Sequence, residues 1–334
     1  MNSNPSLKSL KKKVAPAAPA FRSSCLPRKP TILHTGDLIN RPILFRSVFL
    51  PEGGRLLLLV LPHSDDGGHT MSLIHQAITH LGKESIILIN AILDGRNGVL
   101  DKYAADWAKI QGINSSDPDI PAIKETIRFE EGREFARRLG LGTRHDQWCM
   151  NFALEKGVYT EKGALDSYHS QFAEPTGKDL ALMKERVNLY TAGPTCWVMP
   201  NPFIVNHPHH ISLSLAILKQ LADVKPHPRV FLYNSLKYEL DQEKAGAAGE
   251  QNAVYLVYPK AEEDLYREIL QEKNIIGSQD DRYEQGYYAK YFALYASTIA
   301  RRLGGEAHYA RNIFRIMEVG HGTFNTVRVS QTGL

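Results

Sequence analysis

The run Leu56-Leu-Leu-Leu-Val-Leu61, set between Gly53-Gly54-Arg55 and Pro62, constrains the fold of this chain more than any other feature. Successive residues of a strand point to opposite faces, so an unbroken aliphatic run leaves no face for water. Such a strand belongs inside a parallel sheet with helices on both sides. Residues 55–61 are therefore expected to be the first strand, with a helix over 68–81. Ser85-Ile-Ile-Leu-Ile-Asn-Ala-Ile-Leu93 repeats the pattern and closes on Asp94-Gly95. Further strands are expected at 147–152, 195–199, 229–233 and 253–258. Helices are expected at 122–139, with Gly140 as the stop, and at 179–191, 211–222, 261–273 and 280–303. Residues 96–120, rich in Asn, Ser, Asp, Gly and Pro, read as a long loop over one end of the sheet. Alternating strands and helices define an α/β fold, Rossmann-like, with a mostly parallel sheet. No GxGxxG follows the first strand, which sets aside a dinucleotide-binding enzyme.

Residues 1–30 are rich in Pro, Ala, Ser and Lys and read as a disordered basic tail ahead of a single domain over 31–334 with a C-terminal helical extension. Lys8, Lys11, Lys12, Lys13, Arg22, Arg28 and Lys29 precede the first acidic residue, Asp37; removing these seven charges from the net +4 leaves the body near −3. The body thus has no bias toward nucleic acid. No apolar stretch is long enough for a transmembrane helix or a secretory signal. Three scattered cysteines (Cys25, Cys149, Cys196) form no CxxC pair and point to a reducing, cytoplasmic setting.

Ligand sites of open parallel sheets lie beyond the carboxyl ends of the strands. His63-Ser64-Asp65-Asp66 falls there, followed by Gly67-Gly68, which permit a tight turn. Imidazole and carboxylate are both zinc ligands, and His63 and Asp66 can converge across such a turn. Asp65 then points beside the metal, as a general base for water requires. The bland alternative makes Asp66 a helix cap. Asn206-His207-Pro208-His209-His210 follows another expected strand and opens another helix. It is either a surface histidine cluster or the source of a third ligand. Two histidines, an aspartate and an open position are the layout of a catalytic zinc site.

His63-Ser-Asp65-Asp66-Gly-Gly resembles the HPDD-type motif of the LmbE-like (PIG-L) family of zinc N-deacetylases, and His207-Pro-His-His210 is similar to that family's HPDH motif. Asp94-Gly95-Arg-Asn-Gly98 looks like its loop after the second strand. Arg128-Phe-Glu-Glu131 with Ala136 and Leu139-Gly140 resembles its R-x-x-E…A…LG helix. Ser278-Gln279 and Tyr309-Ala310…Phe314 are similar to two weaker marks. The resemblance implies zinc held by His63, Asp66 and His210, Asp65 as general base, His207 at the oxyanion, and Arg128 on substrate hydroxyls or a nearby acidic group. It implies hydrolysis of an N-acetyl or other N-acyl group on a small-molecule amino sugar or glycoside. A zinc amidase acting on a non-sugar scaffold and a non-catalytic binding protein are the rivals. Ser64 stands for the usual Pro, Gly67 for a commonly acidic residue, His209 for Asp and Arg311 for Glu. None of these removes a ligand or the base; they bear on the substrate.

His69, His75 and His80 share no single helical face and read as surface residues. Tyr283, Tyr287, Tyr291 and Tyr295 form a helical stripe, read as packing or a homo-oligomer contact before a sugar-stacking surface. Asp280 and Asp281 read as caps of that helix, and Glu262-Glu263 as first-turn carboxylates.

Overall fold

The aliphatic run becomes a central strand, but the second in the chain rather than the first. The computed structural model describes residues 31–93, 101–113, 119–150, 175–202, 208–233, 253–271 and 308–316, together with Phe152, Ala296, Ser297 and Ala300. The expected basic tail, the 94–98 loop, His207, Ser278-Gln279, Asp280, Asp281 and the four-tyrosine stripe lie outside the described residues.

The order is β1 (Thr31–His34), α1 (Thr35–Asn40), α2 (Pro42–Phe49), β2 (Leu56–Leu61), α3 (Gly67–Leu81), β3 (Ile86–Ile92), α4 (Asp101–Ile110), α5 (Ile120–Arg138), β4 (His145–Met150), α6 (Gly177–Tyr190), β5 (Thr195–Pro200), α7 (Pro208–Leu221), β6 (Arg229–Tyr233), β7 (Ala253–Pro259), α8 (Lys260–Gln271) and β8 (His308–Ile316). Helix α4 corrects the expectation of a plain loop over 96–120. Its Ala104 and Ala108 pack on Ile123 and Ile127 of α5, a helical-spacing pattern that the flanking Gly, Asn and Ser residues obscured. Strands β1 and β8 and helices α1 and α2 are further additions to the sequence reading.

One eight-stranded sheet runs β1-β7-β8-β6-β5-β2-β3-β4. Strands β4, β3, β2, β5 and β6 are parallel neighbours. β8 is antiparallel to both β6 and β7, while β1 and β7 are parallel to each other, so β8 alone opposes the common direction. Period-two alternation explains the layering. Leu57, Leu59 and Leu61 of β2 face one core with Phe45, Phe49, Met71, Ile74, Phe135 and Tyr266. Leu58 and Val60 face the other, with Met183 and Val187 of α6 and Leu213, Ile217 and Leu221 of α7. The sheet is thus a middle layer between two helical layers, as the apolar run demanded.

From β2 the chain moves outward to β3 and β4, then returns to β5 on the other side of β2. This reversal opens a crevice at the carboxyl ends of β2 and β5. Gly67 keeps the start of α3 close to α5: a Cβ there would run into the ring of Phe135, which is fully buried.

A polar network ties the amino-terminal helix to the rest. The Glu262 carboxylate accepts from Thr35 Oγ1 at 2.6 Å, Tyr266 Oη at 2.9 Å and Gln76 Nε2 at 3.1 Å. His75 Nδ1 lies 3.1 Å from Tyr266 Oη, and His80 Nε2 lies 3.1 Å from Gln76 Oε1. His75 and His80, half-buried at the surface, are thus partners in a network that joins α3 to α8. Glu262 and Glu263 do lie in the first turn of α8.

Two outcomes are expected. Gly67→Ala should cost about 1–3 kcal/mol by overpacking the α3–α5 contact, measured by denaturant unfolding. The second concerns Glu262. Burial opposes its ionisation, but hydrogen bonds from His75, Thr35 and Tyr266 outweigh it and hold the carboxyl below its ordinary value. A depressed folded pKa stabilises fully above the unfolded value, about 4.3, and the contribution is lost as pH falls through the folded value. Glu262→Gln should therefore melt below wild type at pH 7, with the gap closing in acid. A gap that stays constant to pH 2 would contradict this.

Candidate metal centre

The turn that leaves β2 and the start of α7 come together at the crevice. After Pro62 the backbone of His63 stays extended, then Ser64–Asp66 makes a single 3-10 turn into α3. The turn folds Asp66 back on His63, whose backbone N–H donates to Asp66 Oδ2 at 2.9 Å. The His63 ring follows, with Nδ1 3.3 Å from the same oxygen. From the other side of the crevice, the first turn of α7 delivers His210, whose Nε2 lies 3.2 Å from Asp66 Oδ2. The structure thus brings together His63, Asp66 and His210 from segments that the sequence separates by more than a hundred residues.

The donor set fits a metal. One ligand atom from each of the three residues lies within 4.8 Å of the others. Zinc bonds of about 2.0–2.1 Å in a tetrahedron place neighbouring donors about 3.3 Å apart, matching both gaps at Asp66. Three protein donors leave a fourth position, as catalytic zinc sites do. Burial alone would raise the Asp66 carboxyl, but the charge and hydrogen bond of His210, then those of His63, hold it well below its ordinary value. The carboxylate is therefore kept in the anionic form that a cation needs.

Asp65 turns toward α5 instead. Arg128 Nη1 donates to Asp65 Oδ1 at 3.3 Å and to Ser64 Oγ at 3.5 Å, and lies 3.6 Å from Glu131. Arg128 thus lies between two carboxylates, Asp65 and Glu131. A cavity beside Asp65 is lined by Ser64, Asn90, Ile92, Leu93, Arg128, Gln147 and Cys149. Its far wall is shaped by a bulge: the step of two residues from Asn90 to Ile92 in β3 is matched by a step of three from Gln147 to Met150 in β4. Cys149 takes a positive φ of 52° there, a conformation few non-glycine residues adopt. Burial pushes His145 down to about 4, so its neutral ring can steady Asn90 Oδ1 at 3.2 Å.

His69 is a site neighbour that the sequence reading placed on the surface. Its Nε2 lies 3.8 Å from Asp66 Oδ1, and its ring stacks on Tyr233 at 6.0 Å. The available signal was the i, i+3 spacing from Asp66, which puts both residues on one side of the first turn. Burial first, then the nearby Asp66 and Asp65 charges, push the Tyr233 phenol well above its ordinary value. His209 is buried, with Nδ1 3.0 Å from His63 Nε2. His207 lies outside the described residues.

No family model matches this chain. No curated protein matches it. Among solved structures, it is similar to the N,N'-diacetylchitobiose deacetylase from Pyrococcus horikoshii complexed with its inhibitor MPG. That match has 13% identity over 84% of this chain and 92% of the other, with a TM-score of 0.48. A deacetylase of the teicoplanin biosynthesis pathway, in its bog complex, matches at 16% identity over 78% and 98% of the two chains, TM-score 0.48. The same pathway's deacetylase–teicoplanin complex matches at 13% identity over 78% and 97%, TM-score 0.46. At these identities and scores the likeness assigns no chemistry to this chain.

The protein should take up about one zinc per chain, as one set of three donors requires. His210→Ala should lose most of it, read by elemental analysis after dialysis; full occupancy in that variant would remove His210 from the set.

Proposed function

We propose that this chain is a zinc-dependent hydrolase that removes an N-acetyl or related N-acyl group, with an N-acetylglucosamine-type sugar or glycoside as substrate. The observation that carries the reading is the convergence of His63, Asp66 and His210 on one point, with a second carboxylate, Asp65, adjacent in the chain and held by Arg128. The motif resemblance of these residues to zinc N-deacetylases supports the choice of reaction.

Bound zinc supplies Lewis-acid activation of water and of the acyl carbonyl. His63, Asp66 and His210 would hold it. Asp65 takes the proton of the attacking water and returns it to the departing nitrogen, which must leave as an amine rather than as its anion. Arg128 restrains the Asp65 carboxylate through Oδ1, so that its orientation is set before substrate arrives. His207, in the role implied by the family resemblance, stabilises the oxyanion of the tetrahedral intermediate. The amide and water are consumed, and a carboxylate and an amine are released.

The adjacent aspartates separate the roles. Asp65→Asn should keep zinc yet lose about 10²–10⁴-fold in turnover, the usual worth of a positioned base. Asp66→Asn should bind zinc more weakly and regain part of its activity in excess metal, because an amide is a poorer ligand. Acetate release from N-acetylglucosaminides, followed alongside bound zinc, reads both. Zinc-rescued activity in Asp65→Asn would reverse the two assignments. Turnover confined to non-sugar amides would move the substrate and leave the metal chemistry standing.

A further inference from the structure

We infer that His209 is a positioning residue for the metal centre: its Nδ1 accepts a hydrogen bond from the Nε2–H of His63 and so fixes the tautomer and tilt of that ligand. This rests on the zinc reading given above.

The two ring nitrogens of His63 have different neighbours. Nδ1 lies 3.3 Å from Asp66 Oδ2, on the side where the donors converge. Nε2 lies 3.0 Å from His209 Nδ1. A neutral imidazole that offers Nδ1 to a cation carries its proton on Nε2. The nitrogen facing that proton must then be a lone pair, which places the His209 proton on its own Nε2. Ligand histidines ordinarily donate their second N–H to a carboxylate, a carbonyl or water, and that bond sets ring orientation. Here a second imidazole takes that place.

His209 is built to hold still. It is 1% exposed, its ring meets that of His63 at 5.2 Å between centroids, and Phe152 packs edge-on against it at 6.3 Å. It precedes His210 directly, so the first turn of α7 carries one ligand and the hydrogen-bond partner of another. The middle histidine of the 206–210 segment thereby gains a role, which neither a surface cluster nor the ligand count required. An imidazole acceptor adds no negative charge, unlike a carboxylate in the same place.

The experiment measures zinc affinity by chelator competition on metal-stripped, refilled protein, with thermal unfolding of each metal-free variant as the control for folding. His209→Ala should bind zinc about 10–100-fold more weakly, the usual effect of removing such a partner. His209→Asn should recover most of the loss, because its Oδ1 falls near the position of Nδ1 and accepts. His209→Gln should recover less, since its amide reaches toward the Nε2 position. Should the Ala variant not fold, the Asn and Gln variants carry the test together, and equal affinity in the two overturns the inference. Unchanged affinity in His209→Ala overturns it as well. Failure of Asn to improve on Ala makes His209 a direct ligand or a packing residue, and also overturns it. Wild-type protein that takes up no zinc removes the metal reading itself, a distinguishable result.

Discussion

A carboxylate taken out of water must be compensated where it lies, and the site of this protein is organised around one such group, Asp66. Moving an unpaired ion into a protein interior costs several kcal/mol even after relaxation. Asp66, 4% exposed, meets that cost with the His63 backbone N–H and the rings of His63 and His210 around Oδ2, and with His69 near Oδ1. Those partners come from the β2–α3 turn and from the start of α7, so satisfying one side chain pins two crevice walls together. A divalent cation among the same donors is the natural completion of such an arrangement.

The positions of these partners follow from the sheet. Strand β2 spends all its side chains on the two cores, so chemistry can begin only where the strand ends. The chain reverses its direction of travel across the sheet at β2, which opens space there and nowhere along the strand itself. The two adjacent aspartates then separate by conformation. One 3-10 turn sends Asp66 inward to the histidines and leaves Asp65 on the side of Arg128.

The central strands were legible because their apolar runs are long and broken only by Asn90 in β3; 229–233 was read to the residue, and 55–61 and 85–93 to within one at each end. The sheet edge was not. β1 has four residues, Thr31–His34, and finds its pairing with β7 more than two hundred residues later. β8 mixes Arg311, Asn312 and Arg315 with apolar residues, and its antiparallel placement is fixed by partners on both sides rather than by its own pattern. At the site, motif spacing brought His63, Asp66 and His210 into view. His69 and His209 were not, because their neighbours are defined by the direction of a turn and by the meeting of distant segments.

Strand β8 links the two parts of the sheet that run the same way, since β7 and β1 reach β6 only through it. The ribosome must therefore release residues 308–316 before Thr31–His34 can join a continuous sheet. At the usual pace of about 5–20 residues per second, the interval is on the order of tens of seconds. For the last part of that time, from the synthesis of Arg229–Tyr233 until β8 is made, the β6 edge offers unpaired backbone groups to any extended segment nearby. The nascent chain is thus most open to mispairing just before its synthesis through β8 is complete, and a translational pause ahead of residue 308 would prolong that exposure without altering a single side chain.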